Sequence, residues 1–368
     1  AEVESSLDKN IYQTREFTKH TLALRYQYDT GLPTDKYLQT DKDNMFFGIK
    51  WTKVDQYNYN HHVDLKYEHE RESGRKTYGT LKWSRLTPTG KLFYRTMNGE
   101  TSMQKAIADG SFSGDLMVNE FNKKDLTTTE LMLGVRYAPG ETFINTKERR
   151  IPINLDAPVF DISHTLGVKN LLGSEYNFNF TEVSIYKRLW MGTWGHVDTY
   201  FRVGIQWNKV PFPLLIMPRA NLSYIQNQGT FCLINNMEFL TDRFASLDIS
   251  WNLHGKLFNR IPLIKRLKWR EFIGFKMMWG TRTDNNNPFL EQNANDNMLL
   301  KFPGHYKADG TYEYTSHVLN KKVPYMEFAV GIHNIFKLLH IEYVHRLNYN
   351  NLPTAHKWGI RLMILTVF

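Results

Sequence analysis

The sequence predicts an all-β protein: a transmembrane antiparallel β-barrel of about 16 strands, with 14 as the alternative count, joined by long extracellular loops. Three observations predict it. Apolar and polar residues alternate with period two from end to end. The polar face carries full charges in strand after strand, with Trp or Tyr repeatedly ending the apolar face. No stretch approaches the ~18 apolar residues of a membrane-spanning helix, the longest patches being Leu214–Met217 and Leu362–Leu365.

Taken in order, Met45, Phe47, Ile49 and Trp51 oppose Gly48, Lys50 and Thr52. Val63, Leu65 and Tyr67 oppose His62, Asp64, Lys66 and Glu68. Leu131, Leu133, Val135 and Tyr137 oppose Glu130, Met132, Gly134 and Arg136. In His196–Asn208, Val197, Thr199, Phe201, Val203, Ile205 and Trp207 face away from Asp198, Arg202 and Gln206. Ala245, Leu247, Ile249, Trp251 and Leu253 oppose Ser246, Asp248 and Ser250. Met326, Phe328, Val330 and Ile332 oppose Glu327 and His333, and Leu339, Ile341 and Tyr343 oppose His340, Glu342 and Arg346. Too little non-strand sequence remains to cover so many apolar faces with protein. Lipid covers them if the pattern is inverted, apolar side out. Such a sheet must close on itself, because an open edge in hydrocarbon strands its amides at several kcal/mol each.

The rhythm weakens at Thr101–Lys124 and at Tyr176–Arg188, where Phe178 and Phe180 are out of phase with Val183 and Ile185. A bulge near Thr181 would restore the register. Pro139–Pro158, Leu171–Glu175, Lys209–Asn221 and Gly280–Tyr314 read as loops, the last as a long surface loop rich in Asn and Pro. Residues 1–15 read as a lead-in segment and residues 16–368 as the barrel. No signal peptide stands at Ala1, so the chain is read as mature protein or as the C-terminal part of a longer precursor.

The totals agree. Mean hydropathy is −0.48, yet 14% of residues are aromatic, as a polar interior with aromatic girdles requires. The net charge of +9 is spread one or two per strand, which argues against a nucleic-acid surface and suits anionic head groups. A single cysteine, Cys232, excludes an internal disulfide and Cys-based metal sites. In the final segment WGIRLMILTVF, Trp358, Ile360, Leu362, Ile364 and Phe368 share one face and Arg361 takes the other. A last strand of this kind resembles the β-signal of outer-membrane barrels.

Several stretches together resemble one family. They are ELMLGVRYAPGETFINTKERRIPINLDAPVFDISHT at 130–165, NNMEFLTDR at 235–243, GKLFNRIPLIKRLKWREFIGFKMMW at 255–279, PYMEFAVGIHNIFKLLHIEYVHR at 324–346 and the closing strand. The chain is similar to a Bacteroidota outer-membrane family of unknown function, in which a carboxypeptidase-regulatory-like domain precedes a barrel related to the BamA-type surface-antigen superfamily. The resemblance spans most of residues 16–368. It implies a barrel of the bacterial outer membrane, with an upstream periplasmic domain outside this sequence. Two departures stand out. No POTRA domain is present, and SYIQNQGTFCLI at 223–234 lacks the Val-Arg-Gly-Phe-like motif of the long sixth loop in BamA-type proteins. The barrel carries over; insertase activity does not follow.

No catalytic constellation survives inspection, and no enzyme, cofactor or metal is expected. Gly110–Gly114 places Phe112 where a nucleophilic Ser would stand, and His69-Glu70 is followed by Ser at position 73 rather than a second His. His333, His340 and His345 could meet on neighbouring strands, and Asp284, Glu291 and Asp296 could meet in the long loop, but solvated groups are the commoner outcome for both. The informative set is the charges that alternation sends inward: Arg25, Lys50, Asp64, Lys66, Glu68, Glu130, Arg136, Asp198, Arg202, Asp248, Arg270, Lys276, Glu327, Glu342, Arg346 and Arg361. A salt-bridged network stiffening the barrel is the preferred reading; a selective pore or a seat for a plug is the sharper one.

The resemblance implies a component of outer-membrane protein or lipid biogenesis or export. The alternative is a plugged or narrow channel, or a structural barrel anchoring a periplasmic domain or partner proteins. Outer-membrane lipids and lipopolysaccharide are the expected partners, with other outer-membrane or periplasmic proteins, and no nucleic acid.

Overall fold

A computed structural model describes residues 2–13, 16–33, 55–145, 150–225 and 229–364. The expected strand at Met45–Thr52, with Lys50, and the terminal Phe368 lie outside the described residues.

Among the described residues, thirteen strands form one antiparallel sheet in simple up-and-down order, each paired with its neighbours along the sheet. They are β1 (Glu2–Gln13), β2 (Glu16–Gly31), β3 (Gln56–Arg71), β4 (Arg75–Gly90), β5 (Leu126–Tyr137), β6 (Val159–Gly167), β7 (Phe178–Trp190), β8 (His196–Gln206), β9 (Arg243–Asn252), β10 (Arg270–Thr281), β11 (Tyr325–Ile335), β12 (Leu339–Arg346) and β13 (Trp358–Ile364). Residues 2–13, expected as a lead-in, are thus a strand, paired with β2 along their whole length. Among the described residues, β1 and β13 are the two ends of the sheet and do not pair with each other.

The inversion expected from the alternation is present. Leu22, Leu24, Leu65, Leu133, Ile162 and Phe201 are exposed, as are Phe328, Val330, Ile341 and Tyr343. Arg202, Lys276, Glu327, Glu342, Arg346 and Arg361 are buried on the opposite face. A water-soluble sheet does the reverse, because burying apolar area at about 25 cal/mol per Å² is its main driving force. Here that driving force is left for the solvent outside the wall.

The two ends of the sheet differ. Residues 71–75, 190–196 and 335–339 make short turns at one end. The connections 31–56, 90–126, 206–243 and 281–325 all leave from the other. The apolar core lies at this second, long-loop end and is built mostly by the connections. Val210, Phe212, Leu215, Met217, Met237, Leu240, Leu300 and Phe302 pack with Tyr94, Leu126, Tyr176 and Phe178.

Lys209–Asn221 is a loop, as read, and is folded inward; Val210, Phe212, Leu215 and Met217 are all but sealed from solvent. Three expectations need correction here. Gly280–Tyr314 is not wholly a surface loop, since Leu299–Phe302 is buried against the β4–β5 connection, where Lys301 donates its backbone N–H to the Arg95 carbonyl. The weak stretch Thr101–Lys124 begins inside helix α1 (Met97–Ala108), which Thr96 caps by accepting from the Gly99 N–H at 3.0 Å. Finally, β7 has no bulge: it runs in continuous register with both β6 and β8. Phe178 and Phe180 break the phase because they point inward, where Phe178 joins the core made by the loops.

Candidate functional site

The charges named above, Lys50 aside, lie on the face opposite the exposed apolar residues, in two kinds of arrangement. Over most of the sheet the charges are held by groups within the wall, some by opposite charges and some by neutral donors and acceptors. Lys66 and Lys76 reach Glu68 at 2.8 and 2.6 Å. Asp64 stands 3.9 Å from His62, Arg25 donates to Gln27, and Glu130 accepts from Thr128. Arg136 grips Glu141 through two parallel bonds of 2.7 and 2.8 Å. Asp198 accepts from Arg188 and from the Tyr186 hydroxyl at 2.7 and 2.8 Å, and Arg202 donates to Glu182 at 2.6 Å. Paired charges are what a desolvated interior requires, since an unpaired one costs several kcal/mol.

On the last four strands the charges turn to a different partner, the β8–β9 connection. The Glu327 carboxylate accepts from the backbone N–H groups of Cys232 and Leu233 at 2.8 and 2.7 Å and from the Tyr325 hydroxyl at 2.7 Å. Lys276 donates to the Thr230 carbonyl at 2.6 Å, with Asp248 at 3.5 Å. Arg361 donates to the Cys232 carbonyl. Arg346 pairs with Glu238 at 2.7 Å, both fully buried, and reaches the Leu233 and Tyr349 carbonyls. Lys276, Glu327, Arg346 and Arg361, one from each of β10, β11, β12 and β13, therefore hold a single segment, Thr230–Glu238, against the wall. Charge-assisted bonds to backbone groups are about twice as strong as neutral ones, and they fix the segment's register without asking for a particular side chain. Cys232 and Leu233 also pack on Phe272, Ala329 and Val344, well inside the sheet.

The same connection touches the end of the sheet. The Leu362 N–H donates to the Tyr224 carbonyl at 2.8 Å, and Ile225 makes a parallel bridge to Leu362. β13 pairs with β12 on its other side. Tyr224–Ile225 thus occupies part of the β13 edge that faces away from β12. Trp358, Ile360 and Ile364 of β13 are exposed on the outer face and Arg361 is buried inside, as their alternation requires.

Of the remaining candidates, Glu342 is engaged by His333 at 3.0 Å, and Arg270 lies opposite His333 in the β10–β11 register. The His333 and His340 rings lie 4.2 Å apart, while His345 packs with the outward Tyr343, so the three do not converge. His69 stacks on His20. Asp296 is bound by Lys209 and by the Met298 and Leu299 N–H groups, away from any shared site with Asp284 and Glu291. Among the described residues no three His, Cys, Asp or Glu side chains are grouped to hold a metal.

Sequence reasoning found the charges but missed what four of them hold, because backbone amides leave no mark in a sequence. One signal was available: residues 210–242 contain only Arg219, Glu238 and Asp242 as charged groups amid many large apolar ones, too greasy for a solvated loop. If the clasp holds the segment, Glu327→Gln should raise the labelling rate of the buried Cys232 thiol by about tenfold, the equivalent of ~1.4 kcal/mol for a weakened charged hydrogen bond. An unchanged rate would show that the segment is held by packing alone.

A large meander with an inverted surface and an interior occupied by its own connection defines a barrel-type fold like that of BamA. The structure is similar to that of BamA from Haemophilus ducreyi lacking POTRA domains 1–3, with a TM-score of 0.52 at 7% identity. The match covers 98% of this chain and 62% of that one, so the chain spans less than two thirds of that structure. Residues 45–294 match the C-terminal domain of a family of unknown function, DUF5686. The chain belongs to that family. No curated protein matches it.

Proposed function

We propose that this chain is an integral barrel of the bacterial outer membrane that takes part in outer-membrane protein or lipid biogenesis, its interior occupied by its own β8–β9 connection. The observation that carries the reading is the β13 edge. A strand edge is a template for another strand, and here Tyr224–Ile225 covers it through one backbone hydrogen bond and a bridge. Such an edge can exchange an internal segment for an incoming one by strand addition, in which main-chain bonds supply affinity. The closed ring and a full complement of about 16 strands belong to this proposal, since a wall in hydrocarbon tolerates no open edge.

Depletion of the protein should lower the outer-membrane content of a subset of barrels or of lipid. An unchanged proteome and lipid content would remove the biogenesis reading. A second reading, a sealed barrel that anchors a periplasmic domain or partner protein, draws on the clasp of Lys276, Glu327, Arg346 and Arg361. It expects no ion current across planar bilayers even after the long connections are trimmed. A steady conductance would favour a channel instead.

A further inference from the structure

The short-turn end of the sheet carries a patch that neither the clasp nor the seam explains. The β9–β10 connection runs through helix α2 (Pro262–Leu267). From His254 to Arg270 it contains six Lys or Arg and no Asp or Glu. Apolar side chains are interleaved with these cations and are not buried: Leu263 is 73% exposed, and Leu257, Ile261 and Leu267 are 47% exposed. A segment that leaves four large apolar side chains this exposed marks an interaction surface.

This one is pinned. The Glu271 carboxylate accepts from the Leu257 and Phe258 N–H groups. Lys256 donates to Thr193 at 2.8 Å and stands 5.3 Å from the Trp194 ring, in the β7–β8 turn. At the other end, Asn334 of the β11–β12 turn donates to the Lys268 carbonyl at 2.8 Å. That turn, through positive-φ residues Asn334, Phe336 and Lys337, holds Phe336 out at 88% exposure. Trp194 in turn lies beside Trp251, a residue of the outward face, whose indole N–H it accepts through its carbonyl at 2.9 Å. The collar is therefore continuous with the outer, apolar surface of the wall, at the level where that surface ends.

We infer that this collar is an interfacial anchor for anionic phospholipid, with Leu257, Ile261, Leu263, Leu267 and Phe336 seated among the outermost acyl carbons and Lys256, Arg260, Lys265, Arg266 and Lys268 on the phosphates. The inference rests on the membrane-spanning reading above. Charge and position select lipid over a protein partner: the cations carry no carboxylate among them to neutralise, the large apolar groups are spaced between them rather than gathered in one pocket, and the aromatic Trp194 and Trp251 mark an interface. Long basic side chains there keep their stems in the apolar layer and their heads in water.

The test uses the full chain in nanodiscs, with a fluorophore on Leu263→Cys and, separately, on Phe201→Cys at mid-wall; Cys232 is buried and does not compete for label. Brominated phosphatidylglycerol should quench the 263 probe about threefold more than brominated phosphatidylcholine at equal mole fraction, because basic segments accumulate at anionic surfaces. Replacing the five cations by Gln should abolish that preference, and Lys→Arg replacements should retain it. The 201 probe should be quenched by both lipids alike. A 263 probe quenched by neither lipid, with 201 quenched by both, would overturn the collar while leaving the span intact, and would point to a protein partner. Equal quenching at 263 would overturn the anionic specificity. An unquenched 201 probe would sink the membrane span itself.

Discussion

Arg346→Ala should destabilise the barrel by about 3–5 kcal/mol, the cost of leaving a buried carboxylate without its partner. Arg346 and Glu238 are both sealed from solvent at 2.7 Å, and the guanidinium also serves the Leu233 and Tyr349 carbonyls. Its Cζ lies 4.9 Å from the centroid of the Tyr325 ring, so truncation removes packing as well as charge. The measurement is urea-induced unfolding after refolding into vesicles. The double variant Arg346→Met with Glu238→Gln should recover much of the loss, because it removes both charges rather than stranding one. A single variant as stable as the parent would mean that the Glu238 segment leaves the interior without cost, and the clasp would then be no clasp.

On the proposed membrane span, Val203→Arg is expected to cost about 2–4 kcal/mol, the penalty for a cation on a lipid-facing site near mid-membrane. Val203 lies between Phe201 and Ile205 and is in register with Val183 and Ala245. The same chemistry one position away is native: Arg202 faces inward and donates to Glu182 at 2.6 Å. Arg202→Ala should therefore lose stability through a different route, the orphaned Glu182, and this loss should shrink when Glu182 is changed to Gln. Comparing the pairs by urea unfolding separates lipid transfer from ion pairing. Equal tolerance of Arg at 202 and 203 would mean that the wall is not inverted.

The clasp and the seam contact share one strand, β13, whose Arg361 holds the Cys232 carbonyl while its Leu362 N–H binds Tyr224. Any event that draws the β8–β9 connection out of the interior frees part of the β13 edge at the same time. That coupling is what makes an exchange of strands at the seam a physical rather than a topological suggestion.

Phe201 and Arg202 show what the sequence alone determined. Successive side chains on a strand point to opposite faces, so a two-residue period in the string is a two-faced wall in space, and the identity of the greasy face follows from there being no protein left to cover it. The inward charges and the outward Trp358, Ile360 and Ile364 were legible for that reason. Phe178, Cys232 and Leu299–Phe302 show what only the tertiary structure decided. Phe178 breaks the period because its neighbours are loop residues tens of positions away. Cys232 matters through its backbone N–H and C=O, which every residue has. Whether Gly280–Tyr314 is solvated or packed depends on Arg95 and Tyr94 across the mouth. Alternation is a local property of the backbone and can be read locally; the docking of a connection into a charged interior depends on partners far apart in the chain, and no window of sequence contains both.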